Sequence, residues 1–308
     1  VQVTDIFKMP GHAGFSYGFT VNIGSRVDSW YLRLPPPNVK LQGTADVLRQ
    51  VTVLNLLSDP IPHCKVKWSG EDPRWFGRPY FIVPQLEGDV VRMTDEWIKS
   101  FDTETRKGMA RQAVQAMSDI HNLDWSGATY LGHPIKLHSD VGRWDKFAGK
   151  GADSKRLKLA PEVKRLLLSR IPESSKVGIF HGDFQTANLF ASKDAELLAL
   201  IDFELTGIGA TLNDVGWICT FSDRDAWDSE SPRTMFLDPD TLIELYQNAY
   251  GQEVKNVDWY RALAAYKFAI ISGLNLSLHR RGKRVDETWE ITALSMKPLI
   301  DRAQALLG

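Results

Sequence analysis

Two short apolar runs, each ending in a carboxylate, constrain this chain more than any other feature. Val177-Gly-Ile-Phe180 leads into His181-Gly-Asp183-Phe-Gln-Thr-Ala-Asn188-Leu-Phe, and Leu200-Ile-Asp202-Phe-Glu204 follows. Runs this short and this apolar read as strands. Two strands then deliver two carboxylates, with a carboxamide between them, to one place. Oxygen donors of this kind suit a hard cation such as Mg²⁺, which keeps several waters and shares phosphate oxygens. A second carboxylate that does not bind metal is left to orient a hydroxyl and accept its proton.

The rest of the composition bounds the partners. The chain has 308 residues, enough for two lobes or one large α/β domain, and 43% of them are hydrophobic against 24% charged, as in ordinary globular proteins. Its 37 Lys and Arg against 38 Asp and Glu leave a net charge of −1, so no global basic field exists to hold nucleic acid or an anionic membrane. No apolar run approaches the ~18 residues of a membrane span, and the first ten residues carry no signal-peptide pattern. These features predict a cytoplasmic protein with neither nucleic acid nor membrane as partner. Cys64 and Cys219 are far apart and have no Cys or His cluster around them, which argues against a disulfide framework or a zinc site. The sequon at Asn275 lies in a helical pattern and reads as chance.

Along the chain, Phe15 to Ile23 and Trp30 to Leu34 read as a glycine-studded hairpin that ends at Pro35. Ala45 to Leu57 has apolar residues at helical spacing, Pro79 to Pro84 reads as a strand, and Gln85-Leu-Glu-Gly-Asp89 has turn chemistry. Beyond it, helical spacing runs over Thr103 to Leu123, Tyr260 to Leu278 and Trp289 to Leu307. The reading is therefore α+β, with an N-terminal lobe over 1–86 and a C-terminal lobe over 87–308.

His181-Gly-Asp183-x-x-x-x-Asn188 with Ile201-Asp202-Phe-Glu204 resembles the aminoglycoside phosphotransferase family, protein-kinase-like enzymes that phosphorylate hydroxyls of small molecules. The likeness extends over most of the chain. It implies a two-lobed kinase-like fold, ATP as co-substrate, Mg²⁺ as cofactor, a small hydroxylated acceptor and a place among antibiotic-resistance enzymes. Residue by residue it implies Asp183 as catalytic base, Asn188 and Asp202 on the metal, and His181 and Asp214 as supports of the catalytic loop. It also implies a phosphate-binding loop over Gly11 to Ser16, Arg33 on the nucleotide phosphates in place of the usual Lys, and Pro84 C=O and Leu86 N–H on adenine. The Ile120-His121-Asn-Leu-Asp124-Trp125 segment matches a structural part of the family pattern.

Two points depart from that pattern or leave it open. The helix position that carries a Glu paired with the phosphate-binding cation in such kinases holds Gln50 here, so either Asp46, one turn earlier, substitutes or the guanidinium needs no ionic clamp. A pseudokinase that binds nucleotide without transferring phosphate is the alternative that this raises. The missing DFG and APE segments argue against a protein kinase, and the Arg33 strand argues against a metal-dependent hydrolase. For the acceptor, residues 222–230 carry Asp223, Asp225, Asp228 and Glu230 against Arg224, a balance of −3, with Trp227 among them. This segment follows the metal strand and predicts a site for an aminoglycoside-like cation, with Trp217, Trp227 and Trp289 as its aromatic walls. Residues 143–170 carry nine Lys or Arg against three acids, +6, which favours an anionic or acyl-carrier-linked acceptor unless it is simply solvated surface.

Overall fold

The computed structural model describes residues 1–9, 15–37, 39–230 and 236–308. The expected Gly11 to Gly14 loop lies outside the described residues. Among the described residues, ten strands form three antiparallel sheets: β1 Gln2–Lys8, β2 Phe15–Ile23, β3 Arg26–Leu34, β4 Trp68–Gly70, β5 Tyr80–Pro84, β6 Asp89–Val90, β7 Val177–Phe180, β8 Leu189–Ala191, β9 Leu197–Leu200 and β10 Gly207–Ala210. The first five make one sheet in the order β1-β2-β3-β5-β4; β6, β8 and β9 make a second; β7 and β10 make a third. The longer helices are α1 Val47–Leu54, α2 Thr103–His121, α3 Leu137–Gly142, α4 Ala160–Ser169, α5 Leu212–Ser222, α6 Pro239–Tyr250, α7 Val257–Arg280 and α8 Met296–Leu307. Among the described residues, no helix is long and apolar enough to cross a membrane. The fold is α+β and protein-kinase-like.

The β2–β3 register sets the site's upper wall. Ser16 faces Arg33, and Phe19 faces Trp30. Strand period 2 then sends Trp30 and Leu32 to one face, where they pack with Ile82, and Tyr31 and Arg33 to the other. The chain leaves this sheet after Pro84 and joins the second at Asp89, which pairs with Ala191. Gln85 to Gly88 therefore link the sheet that carries Arg33 to the one whose strands β8 and β9 follow Asn188 and precede Asp202.

Helix starts follow their caps. Asp46, Asp102 and Asp238 each accept a backbone N–H from the first turn of α1, α2 and α6 (3.1, 2.7 and 2.9 Å). One core runs continuously from Val47, Val51 and Leu54 of α1 through Met109, Met117 and Ile120 of α2 to Leu189 and Leu200. A second surrounds α7, whose residues Trp259 to Ile270 are all buried. Helices α5 and α7 cross so closely that a Cβ on Gly216 would lie 2.4 Å from the Tyr260 carbonyl oxygen. Any larger residue there would push the two helices apart.

Candidate active site

Strand β7 ends at Phe180, and the chain turns at once through Gly182, which has φ +89°. A Cβ at this position would sit 2.3 Å from the Leu205 carbonyl oxygen, so Gly alone permits the turn. Asp214, on the first turn of α5, holds the turn from behind by accepting the His181 N–H (2.6 Å) and the Gly182 N–H (2.8 Å). The same carboxylate meets His121 Nε2 at 3.1 Å, and His121 Nδ1 meets the Tyr246 hydroxyl at 2.7 Å. His181 is fully buried; its Nε2 donates to the Ile201 carbonyl (2.9 Å) and its Nδ1 accepts the Asp183 N–H (3.3 Å). His181 and Asp214 thus brace the loop, and the first also ties it to the strand that delivers Asp202.

Asp183 is held by three donors. Trp217 Nε1 and Gln185 Nε2 each reach its Oδ1 at 2.8 Å, and Asn188 Nδ2 reaches Oδ2 at 2.9 Å. Burial pushes its carboxyl above the ordinary carboxylate range; His181, Trp217 and Asn188 pull it back in part, and Asp202 adds to the rise. The result is a fixed carboxylate of raised basicity.

Asp202 occupies the left-handed backbone region at φ +62°, an uncommon conformation for a residue with a side chain and one that clusters at functional sites. Its Oδ1 is buried and accepts no hydrogen bond. The Asn188 carboxamide makes both of its recorded hydrogen bonds through nitrogen, to Asp183 Oδ2 and to the Asp183 carbonyl, which leaves its oxygen for a cation. Among the described residues, no three His, Cys, Asp or Glu side chains form a closed metal cage. One carboxylate and one carboxamide with room for other oxygens is the donor set that fits Mg²⁺ bound together with phosphates.

Arg33 reaches this group from β3. Its Nη1 donates to Ser16 Oγ (3.1 Å), and its Nη2 lies 3.4 Å from Glu204 Oε2 and 3.6 Å from Asp202 Oδ1. Tyr31 also donates to Ser16 Oγ, at 2.6 Å. Burial works against the guanidinium charge, but Tyr31, Asp202 and Glu204 outweigh it and raise the Arg33 pKa. Burial is also the main reason that the Glu204 carboxyl is pushed up to about 8, with Asp202 and Asp183 adding to the rise and Arg33 and Arg284 opposing it. Sequence reasoning quoted Glu204 but gave it no role, and it missed Gln185.

At the edge of the cleft, the Gln85 N–H donates to the Ser29 carbonyl (3.0 Å), whereas no backbone hydrogen bond among the described residues uses the Leu86 N–H. The exposed Pro84 and the half-buried Leu86 flank it.

Several expectations are corrected. Asp46 does not pair with Arg33: its side chain accepts from Leu48 N–H and from the Tyr130 hydroxyl (3.1 Å to Oδ2). Asp223 is buried and bound by Arg261 (2.8 Å) and Arg302 (2.7 Å), so its charge is already paired within the chain. The Trp227 ring is buried among Phe221 and Phe268, and its Nε1 donates to the Thr220 carbonyl (2.9 Å), so it is a core residue. Trp289 packs against the second core. Asp225 is exposed and Asp228 half-buried, the latter accepting the Glu230 N–H (2.9 Å). Of the three tryptophans, Trp217 touches the His181 to Asn188 loop, through Asp183. Among the described residues, five of the nine cations of the basic stretch 143–170 are taken up within the chain: Arg143 by Asp140, Lys164 by Asp145, Arg165 by Glu162, Arg156 by the Ala293 carbonyl and Arg170 by the Gly308 carbonyl.

Comparison with known proteins agrees with this geometry. The "Phosphotransferase enzyme family" model (APH) matches residues 14–264. The chain is 25% identical over 289 residues to the Arabidopsis thaliana protein named "Probable acyl-CoA dehydrogenase IBR3", a match that covers 85% of this chain and 35% of that protein. The chain thus spans about a third of the length of this relative. Among solved structures, a "putative aminoglycoside phosphotransferase" of Ralstonia eutropha JMP134 superposes with a TM-score of 0.82 at 18% identity, covering 98% of this chain and 92% of the other. The GDP and kanamycin complex of APH(2")-IIIa superposes at 0.68 and 13% identity, covering 99% and 94%. At such identities these structures establish the fold alone. With the family model spanning residues 14–264, the chain belongs to the APH phosphotransferase enzyme family.

Proposed function

We propose that this chain transfers the γ-phosphoryl group of ATP to a hydroxyl of a small molecule, between an N-terminal lobe over 1–86 and a C-terminal lobe over 87–308. The observation that carries the reading is the convergence of Asp183, Asn188, Asp202 and Arg33 from three separate segments on one cleft. Asp183 accepts the hydroxyl proton as the acceptor oxygen bonds to the γ-phosphorus. The bond from that phosphorus to the β–γ bridging oxygen breaks, and its electrons leave with ADP. Its raised pKa supports this role, because a carboxylate nearer neutrality is the better base. Mg²⁺ held by Asn188 and Asp202 would neutralise charge on the phosphate oxygens. Arg33 and Ser16 hold the phosphates, and Pro84 C=O and Leu86 N–H receive the adenine edge. The nucleotides in solved relatives, such as GDP with APH(2")-IIIa, support a nucleotide co-substrate. Asp183, Asn188 and Asp202, lying together, support the transferase reading over the pseudokinase alternative that Gln50 raises.

For the acceptor, the structure moves the weight away from an aminoglycoside-like cation, since Asp223 and Trp227 are spent in the core. The anionic, acyl-carrier-linked alternative gains from two observations. Lys283 and Arg284 sit exposed on a tight turn beyond α7, their side chains with no hydrogen bond or ion pair among the described residues, and Arg284 is near enough to lower the Glu204 pKa. The Arabidopsis relative, moreover, is named as an acyl-CoA dehydrogenase. Incubation with Mg-ATP and a panel of hydroxyacyl thioesters, hydroxylated anions and aminoglycosides, read by mass spectrometry, tests both levels. A phosphorylated hydroxyacyl thioester is the expected product, and ATP left intact with every acceptor would defeat the transferase reading.

A further inference from the structure

Two side chains grip the main chain on either side of Asp202. His181 Nε2 donates to the Ile201 carbonyl (2.9 Å), and Arg49 Nη2, from α1, donates to the Thr206 carbonyl (2.8 Å). Between them lies the turn Phe203–Leu205, closed by the Thr206 N–H on the Phe203 carbonyl (3.2 Å). The buried Thr206 hydroxyl donates to the carbonyl of Phe180, the last residue before the catalytic loop (2.8 Å). Asp202 itself occupies the left-handed region, where a residue with a side chain stays only if its surroundings over-determine it. The two grips supply that constraint. Among the described residues, α1 gives Arg33 no hydrogen bond or ion pair: Gln50 is 4% exposed with its Nε2 buried and unpartnered, and Asp46 is taken up as a cap and by Tyr130. Arg49 has a firm base, because Val47, Val51 and Leu54 of α1 share one buried cluster with Phe203. Its planar fork also reaches the Leu131 carbonyl (3.5 Å).

We propose that Arg49 is a positioning residue for the metal-binding segment: its grip on the Thr206 carbonyl holds the turn that aims the Asp202 carboxylate at the cation. This rests on the phosphotransferase reading above. Helix α1 then supports the metal donors and not the phosphate-binding guanidinium. Arg49 acts through the main chain between Asp202 and Thr206, so its effect is confined to what Asp202 binds. A nucleotide without metal meets Arg33, Ser16 and the cleft edge, none of which hydrogen-bonds Arg49 among the described residues. A nucleotide with Mg²⁺ needs Asp202 as well. Loss of the grip should therefore separate the two.

The test is a pair of calorimetric titrations on wild type, Arg49→Met and Arg49→Lys: AMP-PNP in EDTA, then Mg²⁺ into the protein saturated with AMP-PNP. Arg49→Met keeps the length of the side chain and removes its donors. It should weaken Mg²⁺ binding about tenfold, as loss of a group that orients a metal ligand does, and leave metal-free AMP-PNP within about twofold. Arg49→Lys keeps one charged donor for the Thr206 carbonyl and should bring Mg²⁺ affinity back to within about threefold of wild type. Equal losses with and without metal would overturn the proposal, because a loosened cleft weakens both. So would Arg49→Lys as weak as Arg49→Met, since the donor would then not matter. Should Arg49→Met fail to fold, Arg49→Gln, too short to keep the same reach, runs the same titrations. Wild type that binds no AMP-PNP in either titration would defeat the phosphotransferase reading and this proposal together. Wild-type Mg²⁺ affinity in Arg49→Met would defeat this proposal alone.

Discussion

The chain has two regions rich in carboxylates, and the structure uses them in opposite ways. In the cleft, Asp183, Asp202 and Glu204 lie together, and the guanidinium that meets two of them is Arg33. At the end of α5, Asp223 lies between Arg261 and Arg302, and Arg261 also meets Asp258 (2.9 Å), so that two carboxylates face two cations. The first region is left with excess negative charge, and burial together with that excess drives Glu204 up to about 8. The second is closed on itself. A fold tolerates unbalanced buried charge where something from solution completes it, as a cation would at the proposed site, and balances the charge internally where nothing does. Pairing therefore separates a site from a strut, whereas local charge density does not.

The cleft should yield the largest effects. Asp183→Asn keeps the shape and removes the basicity, so turnover should fall by roughly 10²–10⁴ while Mg-AMP-PNP affinity stays within a few-fold. The amide must turn its NH₂ toward either Trp217 Nε1 or Asn188 Nδ2, both donors, so a stability loss of about 1–3 kcal/mol accompanies it. Asp202→Ala should behave differently, losing nucleotide affinity, Mg²⁺ dependence and rate together. Steady-state kinetics beside calorimetry separates the two. Full turnover in Asp183→Asn, or unchanged Mg-nucleotide affinity in Asp202→Ala, would erase the distinction between the regions from the catalytic side.

The other side of the comparison is tested by Asp223→Asn. Removing one member of a buried ion network leaves two guanidiniums facing each other, and about 3–5 kcal/mol of stability should be lost in urea unfolding. Nucleotide affinity of the folded fraction should not change. A variant that is as stable as wild type but impaired in acceptor use would restore Asp223 to the site.

How far the sequence revealed this arrangement depends on distance along the chain. The catalytic loop was legible because its parts are local: Asp183 and Asn188 lie five residues apart, and a strand brings Asp202 close behind. Helices α1, α2 and α7 were legible from their apolar spacing to within a few residues at their ends. Strand β1 was not, because nearly all of it is exposed and a bulge around Asp5 breaks its alternation, so no period-2 signal exists. Strand β4, three residues with no buried side chain, was equally silent. The fate of Asp223 was hidden because Arg261 and Arg302 lie 38 and 79 residues away. Glu204 and Arg33 are 171 residues apart, and only the folded sheet shows that they meet.

A buried pair outside both regions gives a pH-dependent effect of intermediate size. Asp140 of α3 meets Lys267 Nζ at 2.8 Å, Arg143 Nε at 2.9 Å and Asn213 Nδ2 at 3.1 Å. Burial, the largest influence, opposes its ionised form, but Lys267 and Arg143 outweigh it and hold the carboxyl below its ordinary value. A carboxyl whose pKa is depressed in the folded state stabilises fully above its unfolded value of about 4, and that stability is lost as pH falls through the folded value. Urea unfolding from about pH 7 to about pH 3 should show this loss in wild type and a smaller one in Asp140→Asn, which starts from lower stability. Equal slopes in the two proteins would mean that the pair contributes no such linkage.

The smallest effect concerns which charged surface meets the acceptor. If pairing is the criterion, the exposed Asp225 and the half-buried Asp228 are solvated remnants of a segment whose central carboxylate is internal, and Asp225→Asn and Asp228→Asn should leave the acceptor KM within about twofold. Lys283 and Arg284 are exposed cations without a partner among the described residues. Arg284→Gln should therefore raise the KM for a hydroxylated anion by about three- to tenfold, an effect that fades with added salt because the charge is exposed. Its kcat should hold, since the residue touches no reacting atom. Turnover confined to cationic acceptors, with KM sensitive to Asp225→Asn and Asp228→Asn and indifferent to Arg284→Gln, would reverse the assignment and show that a solvated acidic rim, not an unpaired basic one, selects the acceptor.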